Sequence, residues 1–556
     1  MPCIGPHLPR ASLPGVLLVA AAASLAPAET SVKAHTLFAE STGSRFKPIG
    51  IYNDGQSTTA LEVRRATTGG TISGTFTNSG SALHIAGDNA PSVAVVLRDD
   101  GTQGDVVAGD GIYTLWPITS AKATDQFENR LHWNTYHLSL DGGGGTISTK
   151  LGIVDSGISY ATRVLGTDVD GHLITSSDFI VNIQDDALVD GSLSGNVSEN
   201  LGAITDKLYS VFDDRFDYLV FISVLKTDNG TNTYFGFRNE VSGLGNSGFG
   251  PPYDSTGLFG IPPAEKNSGV FNGIAYINDG GSSIYGALHH ELMHRWGVSF
   301  GSELGFPFGS HWNGVPAPGE AYVAAFVGAL GGAEVTENGD NTITIRAVPA
   351  TVYPPLELYL MGLIGPGEVP DTTYYRYNQS DQSIIEIFHL SIDDITTTFG
   401  PRNPGVADSQ KEFAAAFVVI TPPGEPLTAA ETAMYSVAAE HFGSDAPGDG
   451  AVSGALIRTP ASFAWGTGFR GTMNTTLFVR PSPVIRTVTV DAGTVSLGIT
   501  GAAATAYDVY RSPDLVTWGT PIGSATTSNQ GDGTGTGTYD DTTAGAGTLF
   551  YRLAEQ

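Results

Sequence analysis

Cysteine is almost absent from this chain: among its 556 residues there is one cysteine, Cys3, close to the N-terminus. A disulfide within the chain is therefore excluded, although disulfides commonly stabilise secreted domains. The fold must rely on burial of apolar side chains, and 41% of the residues are hydrophobic. Because the chain is longer than one hydrophobic core usually organises, we expect roughly two to four domains.

Basic residues are also scarce. The chain has 27 lysines and arginines against 56 aspartates and glutamates, so its net charge is −29. Nucleic acids and anionic membranes select basic surfaces, and we expect neither as a partner. Apolar runs are short as well, since none reaches the ~18 residues that a membrane-spanning helix needs. The composition predicts a globular protein without a membrane span.

The N-terminus has the pattern of a secretory signal peptide. Arg10 precedes an apolar run over residues 16–23, and Ala26-Pro27-Ala28 is typical of a cleavage site. We therefore predict that residues 1–28 are a signal peptide, cleaved near Ala28. The mature chain would be secreted, to the extracellular space or the periplasm.

Sequence patterns divide the remainder into three predicted domains. Residues 29–160 have short alternating strands, such as residues 92–97, and no convincing helix, which favours a β-sandwich. Residues 161–483 mix a continuous apolar run at 216–223 with helical patterns at 199–212, 321–330 and 429–442, which favours an α+β domain. Residues 484–556 return to β patterns, with a predicted loop over residues 531–537. The predicted fold is a multidomain one, with an α+β domain flanked by all-β sandwiches.

Both terminal parts resemble modules of secreted bacterial proteins. Residues 99–114 resemble a segment of immunoglobulin-like modules, and residues 507–518 and 549–553 resemble the last strands of fibronectin-like modules. The resemblance implies that these parts contact a surface or a polysaccharide rather than catalyse a reaction. In the first segment, four carboxylates could bind Ca²⁺, although their spacing is not that of an EF-hand and a solvated acidic turn is the favoured alternative. They are Asp99, Asp100, Asp105 and Asp110.

The pattern with the most chemical content is H-E-x-x-H, formed by His290, Glu291 and His294. Positions i and i+4 of a helix lie on one face, so both imidazoles can reach one zinc ion, with the glutamate as general base. We predict a helix of about thirteen residues over 284–296, capped by Ser282 or Ser283, ended by Gly297 and preceded by a strand over 269–278. A buried helix without metal is disfavoured, because burying these polar groups unpaired costs several kcal/mol. The neighbouring His289 points elsewhere and is assigned no metal role.

Two common zinc-protease families do not match the residues that follow. Phe300 stands where the metzincin motif has its third histidine, and Gly314 stands where a gluzincin would have its third ligand. The chain instead resembles an uncharacterised group of secreted bacterial zincin-like proteins with the motifs H-E-x-x-H-R-W, S-H-W and P-L-D-L-Y-L-M-G-L. Here these motifs occupy residues 290–296, 310–312 and 355–363, within a resemblance that covers roughly residues 170–440. It implies a zincin-like metallopeptidase domain that binds zinc.

The third zinc ligand has three candidates. His311 is the first choice, because a neutral imidazole completes a set of three and Ser310 lies in a turn that can aim it; a loop histidine stacked on Trp312 is the alternative. Glu320 begins a predicted helix and could act as a gluzincin carboxylate does, or merely favour the helix dipole. Glu357 could bind the metal or hold a ligand histidine from behind.

Two further residues complete the candidate site. Met361 lies in a segment that resembles a Met-turn beneath the metal, with plain apolar core as the alternative. Tyr359 could hydrogen-bond a developing oxyanion, but tyrosines beside apolar runs usually belong to the core.

These residues predict a secreted zinc endopeptidase acting on a protein or peptide substrate. Zinc would activate a water molecule and Glu291 would accept its proton as the water attacks the peptide carbonyl. The alternative is a catalytically silent zincin-like scaffold in a cell-surface adhesion or carbohydrate-binding protein, because the third histidine of the metzincins is missing.

Overall fold

The computed structural model describes most of the chain from residue 31 onwards. The described residues are 31–33, 49–65, 67–121, 131–141, 146–158, 160–186, 197–212, 214–224, 232–245, 253–254, 270–277, 284–297, 300–304, 310–348, 352–446, 452–453, 462–477, 483–502, 505–528, 534–545 and 547–555. The predicted signal peptide with Cys3 and Ala28, and the predicted helix caps Ser282 and Ser283, lie outside them.

The first part of the chain is built from nine strands, as its alternating pattern predicts. They pair in the order β1-β3-β7-β6-β4-β8-β9-β2, and β5 adds to β7. Among the described residues before 160, one 3-10 turn at Ser79–Ser81 is the only helical element. The strands are β1 Ser31–Lys33, β2 Ile49–Tyr52, β3 Thr58–Arg64, β4 Gly70–Thr77, β5 Leu83–Ile85, β6 Ser92–Asp99, β7 Ile112–Ser120, β8 Leu131–Leu140 and β9 Thr146–Val154.

This sheet curls round its own core. In β6, buried and exposed residues alternate, because successive side chains of a strand point to opposite faces. Strands β7 and β2 are far apart in the strand order, yet the hydroxyl of Ser120 donates to the carbonyl of Tyr52 at 2.9 Å. Leu61, Phe76 and Leu138 meet in the enclosed core. The arrangement is consistent with the predicted β-sandwich.

The second part contains a mixed sheet of eight strands whose centre is parallel. Its order is β10-β11-β12-β26-β13-β17-β14, with β28 beside β26, and β12, β26, β13 and β17 run parallel. Every residue of β12, β13 and β17 is buried, as in parallel strands covered on both faces. The buried strand expected at 216–223 is thereby confirmed. The strands are β10 Arg163–Thr167, β11 Leu173–Ser176, β12 Ile180–Gln184, β13 Tyr218–Ser223, β14 Thr233–Gly236, β17 Gly273–Ile277, β26 Glu412–Thr421 and β28 Thr472–Asn474.

Helices and small sheets surround this mixed sheet. The helices are α1 Val197–Tyr209, α2 Ile284–Met293, α3 Pro355–Met361, α4 Ile392–Phe399, α5 Ala429–Gly443 and α6 Phe463–Gly466. Helices α1 and α5 confirm the patterns at 199–212 and 429–442. The strands of the small sheets are β15 Arg238–Asn239, β16 Tyr253–Asp254, β18 Asn313–Gly314, β19 Glu320–Ala324, β20 Val327–Gly328, β21 Gly331–Gly332, β22 Glu334–Glu337, β23 Ile343–Arg346, β24 Thr372–Asn378 and β25 Ile384–Leu390. Strand β27 Val452–Ser453 pairs parallel with β8 of the first sheet. Short 3-10 turns lie at Gly301–Leu304 and Pro366–Glu368.

The helix expected over 321–330 is wrong. Residues 320–324 form β19, which pairs antiparallel with β24, and a tight hairpin of β20 and β21 follows. A short apolar run fits a helix or a strand equally well, and here the tyrosine-rich β24 supplies a partner strand. Gly332, at φ 86°, takes a left-handed conformation that continues a turn and not a helix.

The last part is a small two-sheet unit. Its sheets are β29-β30-β33 and β32-β31-β34, and Leu497, Ile499 and Val509 are buried between them. The loop expected over 531–537 is wrong in its described half, because β33 begins at Thr534; residues 531–533 lie outside the described residues. The strands are β29 Val484–Asp491, β30 Thr494–Ala502, β31 Ala506–Ser512, β32 Gly523–Thr526, β33 Thr534–Asp541 and β34 Phe550–Glu555.

The first two parts pack against each other. Helix α5 lies on β2, where a Cβ at Gly50 would come within 2.7 Å of the Ala430 backbone. The Tyr52 hydroxyl also donates to the carbonyl of Ala429 at 3.2 Å. Within the described ranges, no helix has the length and apolar character needed to cross a membrane.

Candidate metal centre

The helix that carries the H-E-x-x-H motif follows the parallel strand β17. It covers Ile284–Met293, which is shorter than expected because its last turn tightens. The N–H groups of His294 and Arg295 bond to carbonyls three residues back, both at 3.2 Å, as in a 3-10 turn. Gly297 follows, and a Cβ there would lie 2.9 Å from Leu330 Cδ1. The turn therefore allows the segment around residue 330 to approach the end of the helix.

Three histidines converge at this helix end. Nε2 of His290 lies 3.2 Å from Nε2 of His294 and 3.0 Å from Nε2 of His311. With zinc–nitrogen bonds of about 2.0–2.1 Å, two ligands of a tetrahedral ion are about 3.3 Å apart, so these separations fit a shared ion. The structure thus brings together the two helix histidines and the first-choice third ligand.

Their protonation suits metal binding. His290 Nδ1 lies 2.8 Å from the carbonyl of Ala329, which can only accept, so the proton is on Nδ1 and the Nε2 lone pair is free. Burial lowers the pKa of His290 and of His311, and burial together with the other two histidines lowers the pKa of His294 to about 3. All three are neutral near pH 7, as metal ligands must be.

Glu291 is buried on the same helix. Its side chain is 4% exposed, and no described residue forms an ion pair or hydrogen bond with its carboxylate. Burial raises the pKa of the Glu291 carboxyl to about 7. A carboxyl with such a pKa can both take up and release a proton near neutral pH.

Glu357 supports the site from behind and is not among the converging groups. Its carboxylate is fully buried and accepts N–H groups from the Trp312 indole at 2.7 Å, Ala329 at 2.9 Å and Leu330 at 3.1 Å. Ala329 is the residue whose carbonyl orients His290. Glu357 therefore does not face the three imidazoles as a ligand would. It binds the backbone N–H of Ala329, and the carbonyl of Ala329 in turn orients His290.

His311 is positioned by its neighbour. Trp312 is completely buried, its indole donates to Glu357, and its N–H bonds to the carbonyl of Leu330 at 2.9 Å. The Trp312 ring packs against Phe300 and Phe326, whereas the His311 ring stacks on His290 at 4.9 Å. The stack of His311 on Trp312 that was the alternative is therefore not the arrangement observed.

The other candidates lie elsewhere. Glu320 sits in strand β19, where its carboxylate is 2.6 Å from Arg376, and the helix start expected there is wrong. Met361 is buried as the last residue of α3, so its segment is a helix and not a Met-turn. The hydroxyl of Tyr359, in the same helix, accepts the backbone N–H of Arg402 at 3.3 Å. His289 points to the hydroxyl of Tyr353, 2.9 Å from its Nδ1.

The acidic group of the first sheet is organised by its own backbone. Asp99, Asp105 and Asp110 come together, while Asp100 pairs with Arg98 at 3.0 Å. The buried Asp99 carboxylate accepts backbone N–H groups at 2.5–3.1 Å from Gly69, Gly109, Asp110 and Gly111. This is the pattern of a carboxylate that stabilises a turn, and it gives no separate support for Ca²⁺.

A third cluster of possible metal ligands holds a cation of the chain itself. Asp168 and Asp170 come together with His172, but Lys207 Nζ lies 2.7 Å from Asp168 and 3.3 Å from Asp170. The ammonium group, which also pairs with Asp185 at 2.7 Å, thus compensates part of the negative charge of this cluster.

Two contacts of the candidate metal centre could not be predicted from the sequence. The Ala329 carbonyl is a backbone group, and nothing in the side chains marks it. The anchoring of Trp312 could have been suspected from a tryptophan beside His311, but its partner Glu357 is 45 residues away. No protein-family model matches the chain, and comparisons with curated proteins and with solved structures also returned no match.

Proposed function

We propose that this protein is a secreted zinc-dependent endopeptidase with a zincin-like catalytic domain. The observation that supports the proposal is the convergence of three Nε2 atoms at the end of the helix that contains Glu291. Nε2 of His290 lies 3.2 Å from that of His294 and 3.0 Å from that of His311. Three neutral imidazoles are a ligand set typical of catalytic zinc, which keeps a fourth position open. A structural zinc site would instead be closed by four protein ligands.

The chemistry divides between the ion and the chain. Zinc, when bound, lowers the pKa of a water molecule and polarises a carbonyl oxygen. Glu291 accepts the proton of the attacking water and then donates it to the amine that leaves when the peptide bond breaks. The absence of a described ion-pair partner supports this role, because a carboxylate held by a salt bridge would be a weaker base.

The remaining groups keep the ligands in place. The Ala329 carbonyl accepts the Nδ1–H of His290. The Glu357 carboxylate accepts N–H groups from Ala329 and from Trp312, which is next to His311. Such outer contacts orient the ligand rings and maintain their basicity. Secretion is proposed from the signal-peptide pattern of residues 1–28, and contact with a surface or polysaccharide from the β-rich terminal parts.

The test combines zinc analysis with one substitution. Purified protein should hold about one equivalent of zinc, and it should cleave an unstructured protein such as casein in a chelator-sensitive manner. Glu291→Gln should retain zinc and lose activity about 10²- to 10⁴-fold. Glu303→Gln, which changes an exposed glutamate in the 3-10 turn downstream of the same helix, is the matched control and should cleave normally.

Two outcomes would overturn the proposal. Protein without tightly held zinc would favour the silent scaffold, and so would zinc-loaded protein that cleaves no polypeptide. Full activity in Glu291→Gln would remove this carboxyl from the mechanism.

A further inference from the structure

Two buried arginines line a cavity that none of the three histidines lines. The cavity has a volume of about 390 Å³ and is bounded by Arg295 and Arg402, by the apolar side chains of Trp296, Met361 and Phe413, and by polar residues nearer the solvent. Arg295 directly follows the proposed ligand His294, and Arg402 follows helix α4. Both arginine side chains are 8% exposed. Burying two like charges side by side is costly unless something compensates them.

Arg295 has unused hydrogen-bonding capacity. Its Nη1 donates to the Tyr218 hydroxyl at 2.6 Å, and its Nε is buried without a partner. Its guanidinium lies over the rings of Trp296 and Tyr218, at 5.1 and 5.6 Å. Among the described residues, no carboxylate lies within ion-pair distance of it, and the buried carboxylate of Asp217 attracts its charge only from further away. The Nε–H is enclosed by protein, so the donors that a ligand in the cavity can reach are the remaining N–H groups of Nη1 and Nη2.

Arg402 adds a second positive charge that no described carboxylate pairs with either. Burial, assisted by the charge of Arg295, lowers the pKa of Arg402 to about 10, so it still carries its charge at neutral pH. Neutral acceptors take four of its five N–H donors, which fixes the guanidinium without neutralising it and leaves one N–H on Nη2 for a ligand. They are the carbonyls of Leu360, Met361 and Pro404 and the hydroxyl of Ser409.

The solvent side of the cavity has the opposite charge. Glu240 and Asp408 both line it and both are exposed, whereas the two arginines are buried. The cavity is thus positive at depth and negative towards the solvent, with apolar walls between. A guanidinium recognises a carboxylate through parallel charge-assisted hydrogen bonds, and an exposed carboxylate pairs with an ammonium group.

From this polarity we infer that the cavity is a binding site for a free apolar amino acid. The carboxylate of the ligand lies at Arg295 and Arg402, its ammonium group lies at Glu240 and Asp408, and its side chain contacts Trp296, Met361 and Phe413. The volume lies within the range of small-molecule pockets, about 300–1,000 Å³. The inference goes beyond the proposed function and depends neither on zinc nor on peptide hydrolysis.

Calorimetric titration of the full-length protein tests the inference with three leucine-derived probes and with inorganic phosphate. L-leucine carries both charges, N-acetyl-L-leucine keeps the carboxylate alone, and L-leucinamide keeps the ammonium alone. We expect L-leucine to bind and each single-charge probe to bind at least about tenfold more weakly, because each loses a charge-assisted contact. The measurement is made with zinc-loaded and with zinc-free protein, and the result should be the same.

Substitutions at both ends of the cavity complete the test. Arg295→Lys keeps the charge but loses the planar guanidinium, and we expect it to weaken L-leucine binding about tenfold or more. If that variant does not fold, the exposed pair Glu240→Gln and Asp408→Asn serves instead, and it should abolish the preference for L-leucine over N-acetyl-L-leucine. Arg346→Met, which removes a surface arginine that pairs with Glu334, is the control and should bind normally.

Three results would overturn the inference. One is the absence of L-leucine binding at millimolar concentration. A second is equal affinity for L-leucine and N-acetyl-L-leucine, which would make the site a general carboxylate site. The third is tight binding of inorganic phosphate without L-leucine binding. Because zinc-free protein is measured too, failure here is distinguishable from failure of the proposed peptidase activity.

Discussion

Replacing Glu357 with glutamine should weaken both the fold and zinc binding without altering any proposed ligand. One oxygen of the buried carboxylate accepts the N–H groups of Trp312 and Leu330, and the other accepts the N–H of Ala329. A glutamine side chain has one oxygen and one NH₂ group, so in either orientation a donor faces a donor. One buried donor without an acceptor costs about 1–3 kcal/mol, and we expect a loss of that size in the free energy of unfolding.

The effect on the metal follows from the same contacts. If the amide oxygen replaces Oε1, the bond from Ala329 is lost and the carbonyl that orients His290 is less well held. If it replaces Oε2, the bonds from Trp312 and Leu330 are lost and His311 loses the anchor of its neighbour. Loss of such outer support typically costs about 10- to 100-fold in metal affinity. We therefore expect a weaker zinc affinity of that order, although all three imidazoles are retained.

Two measurements check this prediction. Urea unfolding of metal-free protein gives the change in stability, and competition with a chromophoric chelator gives the zinc affinity. Glu412→Gln, an exposed glutamate, is the control and should match the wild type in both. If the stability of Glu357→Gln lies within about 0.5 kcal/mol of the wild type, as surface changes usually do, and its zinc affinity is unchanged, the argument for Glu357 as a support fails.

Three further predictions concern the same region. His311→Ala should reduce zinc affinity at least about 100-fold in the same chelator assay, since a lost ligand costs more than a lost outer contact. Glu320→Gln should leave the zinc affinity unchanged. The reverse result would make Glu320 the ligand. Gly328→Ala should lower the thermal midpoint of unfolding, because its Cβ would lie 2.6 Å from Glu357 Oε1, at a cost of about 1–3 kcal/mol. Gly367→Ala should leave the midpoint unchanged, because the space around that position is open. Equal midpoints for the two variants would refute the tight contact at Gly328. Burial raises the pKa of Glu357 from 4.5 to about 7. The stabilisation from its protonated form is therefore present below about pH 4.5 and is lost as the pH rises through about 7, by at most about 1.4 kcal/mol per pH unit. Thermal midpoints of metal-free protein should fall less steeply with pH in Glu357→Gln than in the wild type, and the slope that remains includes the contribution of Glu291, whose pKa is also raised to about 7.

Local sequence patterns correctly predicted those elements whose secondary structure does not depend on contacts with distant segments. The apolar run before residue 224 is a buried strand. Residues 429–442 lie in a helix, as their length predicts, but the amphipathic pattern expected there is wrong, because the helix is buried on nearly all sides. The run at 321–330 fits either a helix or a strand. Its residues became strands because β24 offered a partner and because glycines 328, 331 and 332 permit a tight hairpin. Pairing between residues some 50 positions apart is not visible in a local pattern.

The spacing of His290 and His294 is enough to predict that both lie on one face of a helix, next to Glu291, because residues four apart in a helix are neighbours. His311 ranks first as the third imidazole on its chemistry and on the turn that precedes it. Only the tertiary structure decided which distant groups meet there: His311 comes within 3.0 Å of His290, Glu357 becomes a buried support, and Glu320 pairs with Arg376 on a strand. The reason is physical. Contacts along a helix follow from local geometry, whereas contacts between segments depend on how the whole chain satisfies its buried polar groups.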